Sequence, residues 1–461
     1  MEFRTEKDAL GEKQVPCEAY YGIHSLRGFE NFQISGKTLP IEMFHAIAEI
    51  KIACAKANTE LGLLDEKICS VIVKAGEDVL KGDFDKEFVI DAYQAGAGTP
   101  THMNVNEVMA NIGIEKLGGI KGEYKIVHPN DHVNMGQSTN NVIPGALLVV
   151  SAKKIEKLLP VLDKFYNVLM QKGDEFKDVL KSGRTHMQDA VPITIGQEFE
   201  AYGASIRRSI DDLKFVGENI LELNVGKNAI GTGINTHPEF TLKTCEYLKE
   251  INGFEWRVNP DAIYGTQYHT IFLKVSNALR MLAVNVNKIV SDLIILSSGP
   301  RTGINELILP PVEPGSSIMP GKVNPNVAEM MKMICFQVFG NDTVINFAAN
   351  AGQLELNYMA PLESKNLIES LDILTNGIKT FDEICVSGIK VNEKVNRFNF
   401  ENSAGLATLL NPYIGYDNAA EIVNESLESG KSIPELVIEK GLMDKEKLDK
   451  ILSENVTKPN M

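Results

Sequence analysis

Apolar residues recur at steps of three and four along five long stretches of the chain. From Leu148 the series continues through Ala152, Ile155, Leu159, Leu162, Tyr166 and Leu169. From Phe199 it continues through Tyr202, Ile206, Ile210, Leu213, Val216 and Ile220. Residues 271–296, "IFLKVSNALRMLAVNVNKIVSDLIIL", are apolar on nearly every side, and two further stretches lie near 327–339 and 362–381. That spacing is the period of a helix face. Helices of about 20 to 28 residues are about 30–40 Å long and pack side by side as a bundle. Pro160 falls inside the first and predicts a local kink. A segment apolar all round is a buried helix. It is either the centre of one bundle or part of a core shared between subunits. Five helices in one chain cannot bury all of 271–296, which favours the shared core.

The flanks differ. "KDALGEKQVPCEAYYG" reads as extended and rich in turns, and residues 40–82 are helical. After Asn392 the apolar period shortens into small amphipathic helices with Gly and Asn stops. The predicted fold is therefore mainly α with three domains. An N-terminal mixed, mainly helical domain covers 1–140, a central five-helix bundle 141–392, and a small C-terminal helical domain 393–461.

Composition narrows the function classes. The 461 residues carry a net charge of −15, which argues against nucleic acid and against an anionic membrane surface. Six cysteines are scattered with no CxxC pair, as in a cytosolic chain with reduced thiols. The polar start "MEFRTEKDALGEKQ" is no signal peptide, and no apolar run reaches the length of a membrane span. The expected location is the cytoplasm.

Four polar, glycine-punctuated stretches interrupt the helical patterns: 96–108, 132–146, 182–192 and 311–331. Each leads into a long helix, whose N-terminus offers free N–H groups and favours negative charge. Singly, each has an ordinary explanation. Ser138, Thr139 and Asn140 suit an N-cap; Thr185 and His186 suit a buried pair; "PGSSIMPGK" suits a surface loop. Together they fit one anion site assembled from several helix ends. No Walker, GxSxG or HExxH pattern is present.

The fourth stretch contains "GSSIMPGKVNP", which resembles the signature of the aspartase/fumarase lyase family. "GRTHMQDAVPITIGQEF", "GQSTNN", "NEVMANIG" and "SSGPRTG" are similar to its other blocks, and the resemblance runs from about Arg4 to about Ile451. Within the family, the start of the chain, "QSTN", "DAVP" and "AIGTGIN" look like the aspartate ammonia-lyase branch. The resemblance implies a homotetramer with a 20-helix core and active sites shared by three subunits. It implies a carbon–nitrogen lyase that eliminates ammonia reversibly from aspartate to give fumarate, through Cβ proton abstraction and an aci-carboxylate dianion. Preorganised donors must then face that carboxylate. By motif these are Thr99, Ser138, Thr139 and Ser317. Thr185, Lys322 and Asn324 would hold the second carboxylate, with Asn140 and His186 near the amine. The base would be Ser316 on a mobile loop, 313–326, with Gly315 and Gly321 as hinges. His186 and Glu329 resemble the family's His–Glu pair. No cofactor or metal is required; activation by a divalent cation is a property of some members, and no ligand cluster for one is visible.

This chain also departs from that branch. Where such enzymes usually read Ser-x-Asn after the first threonine, it has Pro100, Thr101 and His102. Asn141 replaces the usual Asp, and Tyr358, Met359 and Ala360 follow "ELN". His102, Asn141 and Tyr358 are therefore candidates for setting specificity. The alternatives are a related C–N lyase acting on another amino acid or a substituted amine, as in ergothionases, then a fumarate hydratase. Outside catalysis, a structural protein on the same fold remains.

Overall fold

The computed structural model describes residues 2–94 and 96–457. The five long helices are Thr139–Glu175, Ile195–Asn219, Thr270–Leu296, Asn326–Ala349 and Ala360–Ile384. The first has 37 residues and starts nine residues before the apolar series that begins at Leu148, with a polar first turn, Thr139 to Asn141, followed by the buried Val142, Ile143, Ala146 and Leu147. It runs unbroken through Pro144 and Pro160 to Glu175, so the kink expected at Pro160 does not end it. The described residues fall into two compact units, and each long helix begins in one and ends in the other.

The first unit comprises 1–158, 212–280 and 337–373. It opens on an antiparallel hairpin, Phe3–Asp8 with Gly11–Pro16, as the turn-rich start predicts. Helix Ile41–Glu60 is almost entirely buried, packed on helices Glu66–Leu80 and Phe240–Asn252. Gly76 permits the first contact: a Cβ there would lie 2.5 Å from Ile52 Cγ1. Phe44 stacks on Phe88 with ring centroids 4.5 Å apart. Helix Thr99–Lys116 packs on Glu66–Leu80 and is buried on nearly all sides. Its Glu107 carboxylate accepts the N–H groups of Gly22, His24 and Ser25, so it caps helix Ile23–Asn31 from a distance in sequence.

The second unit comprises 159–211, 281–336 and 374–461. Strands Leu180–Thr185 and Gln188–Thr194 pair antiparallel and lead into helix Ile195–Asn219. Beyond Asn392 lie short helices, as the sequence predicts, from Glu393–Asn402 to Lys445–Thr457. Leu406, Leu410, Ile422, Ile433, Leu436 and Leu448 share one apolar cluster beneath them. Ser432 and Glu435 form a capping box at the start of Ile433–Glu439. The six cysteines are all free. Among the described residues no helix is long and apolar enough to cross a membrane.

Candidate active site

In the first unit the first two polar stretches converge. Gly98, in the left-handed region at φ 92°, turns the chain into helix Thr99–Lys116. Thr99 Oγ1 donates to Gly96 O at 2.7 Å and stands 3.2 Å from Thr139 Oγ1. Thr139 begins the 37-residue helix, and Ser138 caps it by accepting Asn140 N at 3.3 Å. Asn140 Nδ2 donates to Ala229 O at 2.8 Å, which ties it to the "AIGTGIN" stretch. Thr99, Ser138, Thr139 and Asn140 therefore gather around one helix N-terminus, three hydroxyls and an amide, with the helix dipole behind them.

His102 is completely buried under this cluster, with Nδ1 2.8 Å from Thr139 Oγ1 and Nε2 2.5 Å from Lys51 Nζ. Burial, with the Lys51 charge added, holds its imidazole well below the usual histidine range. Asn141 is buried, its Nδ2 3.4 Å from Thr266 Oγ1. Asn140 and Asn141 line a cavity of about 170 Å³ with Tyr264, Tyr268 and His269. His269 pairs with Glu363 at 2.6 Å, both fully buried. Tyr358 lies on the surface at 38% exposure.

The third stretch lies in the second unit and is a β-hairpin whose second strand leads directly into helix Ile195–Asn219. Thr185 faces Gln188 across a two-residue turn, His186–Met187, with both turn residues at positive φ (56° and 61°). That conformation matches the twist of the strands and is usually met by Asn-Gly. Thr185 and His186 are exposed at the tip, so they are not a buried pair. The hairpin is anchored from below by Arg184, bound through two nitrogens to the buried carboxylate of Glu306.

The fourth stretch is an exposed loop. Gly315 N donates to Lys322 O at 3.0 Å and Asn324 Nδ2 to Gly315 O at 2.6 Å, which closes its neck. A Cβ at Gly315 would sit 2.5 Å from Lys322 O, so this glycine is a point of close approach rather than a free hinge. Gly321 does adopt positive φ, 80°. Ser316 Oγ accepts Met319 N at 3.0 Å and Ile318 N at 3.3 Å. Ser317, Lys322 and Glu329 are exposed. Among the described residues His186 and Glu329 share no hydrogen bond or ion pair, so this chain does not by itself assemble that pair.

Sequence reasoning missed Lys51, Glu306 and the His269–Glu363 pair. The only sequence signal for Lys51 was a basic residue inside the apolar run "AIAEIKIACA". Its three partners, His102, Asn134 and Gln137, are 51 to 86 residues away and meet it only in the fold.

Comparison with known proteins identifies the family over the whole chain. The family described as Lyase matches residues 11–340, and the one described as Fumarase C C-terminus matches 406–456. The aspartate ammonia-lyase of Bacillus subtilis (strain 168) is 44% identical over 100% of this chain and 97% of its own. That of Pseudomonas fluorescens is 46% identical over 100% and 97%. The crystal structure of the class II fumarase from Schistosoma mansoni superposes with a TM-score of 0.95 at 35% identity, covering 100% of both chains. Matched by the lyase family over 11–340 and by relatives 44% and 46% identical over its whole length, this chain belongs to the aspartase/fumarase lyase family.

Proposed function

We propose that this protein catalyses the reversible elimination of ammonia from L-aspartate to give fumarate. Ser316, as its alkoxide, takes a proton from Cβ. The electron pair moves onto the adjacent carboxylate, giving an aci-carboxylate dianion. Collapse of that dianion forms the Cα–Cβ double bond and expels the ammonium group as neutral ammonia, so no separate acid is needed. Thr99, Ser138, Thr139 and Ser317 donate to the carboxylate on which charge builds. Thr185, Lys322 and Asn324 hold the other, and Asn140 and His186 face the amine. His186 and Glu329 act together across a subunit boundary.

The observation that carries this reading is the environment of Ser316. A serine hydroxyl is a poor acid, and its alkoxide needs help. Two backbone N–H groups, of Met319 and Ile318, already point at its Oγ. They stabilise the oxyanion, as dipoles aimed at a forming charge do. The 44% and 46% identity to aspartate ammonia-lyases, against 35% to a fumarase, supports an amine as leaving group.

The reading includes a homotetramer in the cytoplasm, with each site built by three subunits and no cofactor required. Exposed apolar residues on the long helices support it: Met281 and Val284 on Thr270–Leu296, Met333 and Phe347 on Asn326–Ala349.

Ultraviolet absorbance of fumarate tests the reaction. Aspartate should yield the signal and malate should not. A signal from malate alone would assign a hydratase, and silence with both would point to another amine or to a structural role.

A further inference from the structure

Lys51 is fully buried, and among the described residues no carboxylate pairs with it. Its Nζ lies 2.7 Å from Asn134 Oδ1, 2.8 Å from Gln137 Oε1 and 2.5 Å from His102 Nε2. The two amides cannot turn round. Asn134 Nδ2 donates to Gln137 O, and Gln137 Nε2 donates to Val133 O and Met135 O. Both amide oxygens therefore accept from Lys51, and two of its protons are committed.

The third position decides the rest of the chain. An ammonium has three protons and no lone pair, so His102 Nε2 must accept. The neutral imidazole then carries its proton on Nδ1 and donates it to Thr139 Oγ1, 2.8 Å away. Thr99 spends its own hydroxyl proton on Gly96 O. The Thr139 proton is left free to point outward, onto an anion. A neutral amine has two protons, both already on the amides, and one lone pair. It must accept from Nε2–H, Nδ1 becomes an acceptor, and the Thr139 proton turns inward. One proton on Lys51 thus reverses two hydrogen bonds.

We propose that Lys51 and His102 are positioning residues that make Thr139 an outward donor, the Lys51 ammonium holding His102 in its Nδ1–H tautomer so that the Thr139 hydroxyl is kept for a substrate carboxylate. This deepens the reading above and rests on its placing Thr139 at a carboxylate. Burial supports a change of state in the working range, since it brings the Lys51 ammonium down to about 7. The other titratable groups facing the pair are uncharged there. Burial pushes the Cys54 thiol, on the Lys51 helix, up to about 12 and lowers the His24 imidazole on helix Ile23–Asn31. Cys245, beside Cys54 on helix Phe240–Asn252, is likewise pushed up to about 12.

The test combines binding, kinetics and spectra on the intact assembly. As pH rises through the Lys51 transition, the KM for aspartate and the Kd for an unreactive dicarboxylate should both climb, by about tenfold per pH unit. His102→Asn places an amide at the Nδ1 position facing Thr139 and leaves nothing at the Nε2 position, so the protonation of Lys51 no longer reaches Thr139. In that variant the climb should be lost from both the KM and the dicarboxylate Kd. The 15N spectrum of histidine-labelled protein reads the tautomer directly, with His102 assigned by the signal lost in His102→Asn. Below the transition Nε2 should be the bare nitrogen, and above it Nδ1. An Nε2–H signal below the transition, or the same pH profile in His102→Asn as in the parent, overturns the proposal. The spectrum and the dicarboxylate Kd need no turnover, so absence of aspartate lyase activity would sink the reaction assignment and leave this test standing.

Discussion

Arg184 and Glu306 meet through two parallel hydrogen bonds, Nη2 to Oε1 at 2.7 Å and Nη1 to Oε2 at 3.0 Å, with the Glu306 carboxylate fully buried. Lys181 Nζ lies 3.5 Å from the same carboxylate and Asn399 Nδ2 donates to it at 2.9 Å. The pair fixes the strand that ends at Thr185, so it sets where the tip of the hairpin stands.

Burial alone raises the Glu306 carboxyl, but the Arg184 hydrogen bonds, the Lys181 charge and the Asn399 amide outweigh it and hold it below its ordinary value of 4.5. The unfolded chain therefore binds this proton first on acidification. The stability it contributes is complete above pH 4.5 and is lost as pH falls through the lower folded value. Glu306→Gln leaves Arg184 and Lys181 facing a neutral amide and should cost about 3–5 kcal/mol. Denaturant titrations of the two proteins should differ most at neutral pH and draw together in acid. A difference independent of pH would mean that the charge of Glu306 does not matter.

Gly315 makes the second prediction. A methyl group there would meet Lys322 O at 2.5 Å and Asn324 N at 2.7 Å, so Gly315→Ala must open the neck of the loop that carries Ser316. Displacing a catalytic group by about 1 Å can cost 10²-fold, and kcat should fall by at least about that. The loop is exposed and contributes little to the core, so the melting temperature should barely move. Ser316→Ala should match it in lost turnover. Normal kcat in either variant would remove the serine from the chemistry.

His186 separates a backbone role from a chemical one. It holds φ 56° in a two-residue turn, so most replacements would strain the hairpin as well as delete the imidazole. Asparagine tolerates the left-handed region and is favoured in this turn. His186→Asn should therefore keep the fold and the melting temperature, and a fall in kcat of about 10²-fold belongs to the ring. If His186→Asn and His186→Gly both retain full activity, the hairpin tip plays no part in the reaction.

The sequence made the long helices plain, because a helix that buries one face must repeat its apolar residues every three or four positions. The signature loop was legible as a loop for the same reason in reverse: Gly315, Pro320 and Gly321 cannot continue a helix. The hairpin was hidden. Its alternation is broken by a register shift between Ser182 and Arg184, and its turn lacks the Asn or Gly that usually marks one. Lys51 was hidden more deeply, since nothing local distinguishes a buried lysine held by two distant amides from one that reaches solvent. Ser138, Thr139 and Asn140 suited both a cap and a site, and the fold shows that the two readings are compatible. Ser138 caps the helix, and the same geometry brings Thr139 to Thr99.

Assembly gives the last prediction. Met333, Gly340 and Phe347 follow one another at seven-residue steps on helix Asn326–Ala349, and all three are exposed, the methionine at 72% and the phenylalanine at 73%. A seven-residue apolar repeat is the pattern by which one helix seats against another. A Cβ on Gly340 would meet nothing within 4 Å, so that position is empty space beside the helix, wide enough for a partner. Burying the two large side chains in a shared core contributes about 1.5–3 kcal/mol each per subunit. Met333→Asp would place a carboxylate in that proposed core and should split the proposed tetramer in sedimentation experiments. Because each site draws on three subunits in the proposed assembly, turnover should disappear with the tetramer, while far-ultraviolet circular dichroism still shows a helical chain. A Met333→Asp protein that sediments as a tetramer and turns over aspartate normally would place this stripe outside any interface.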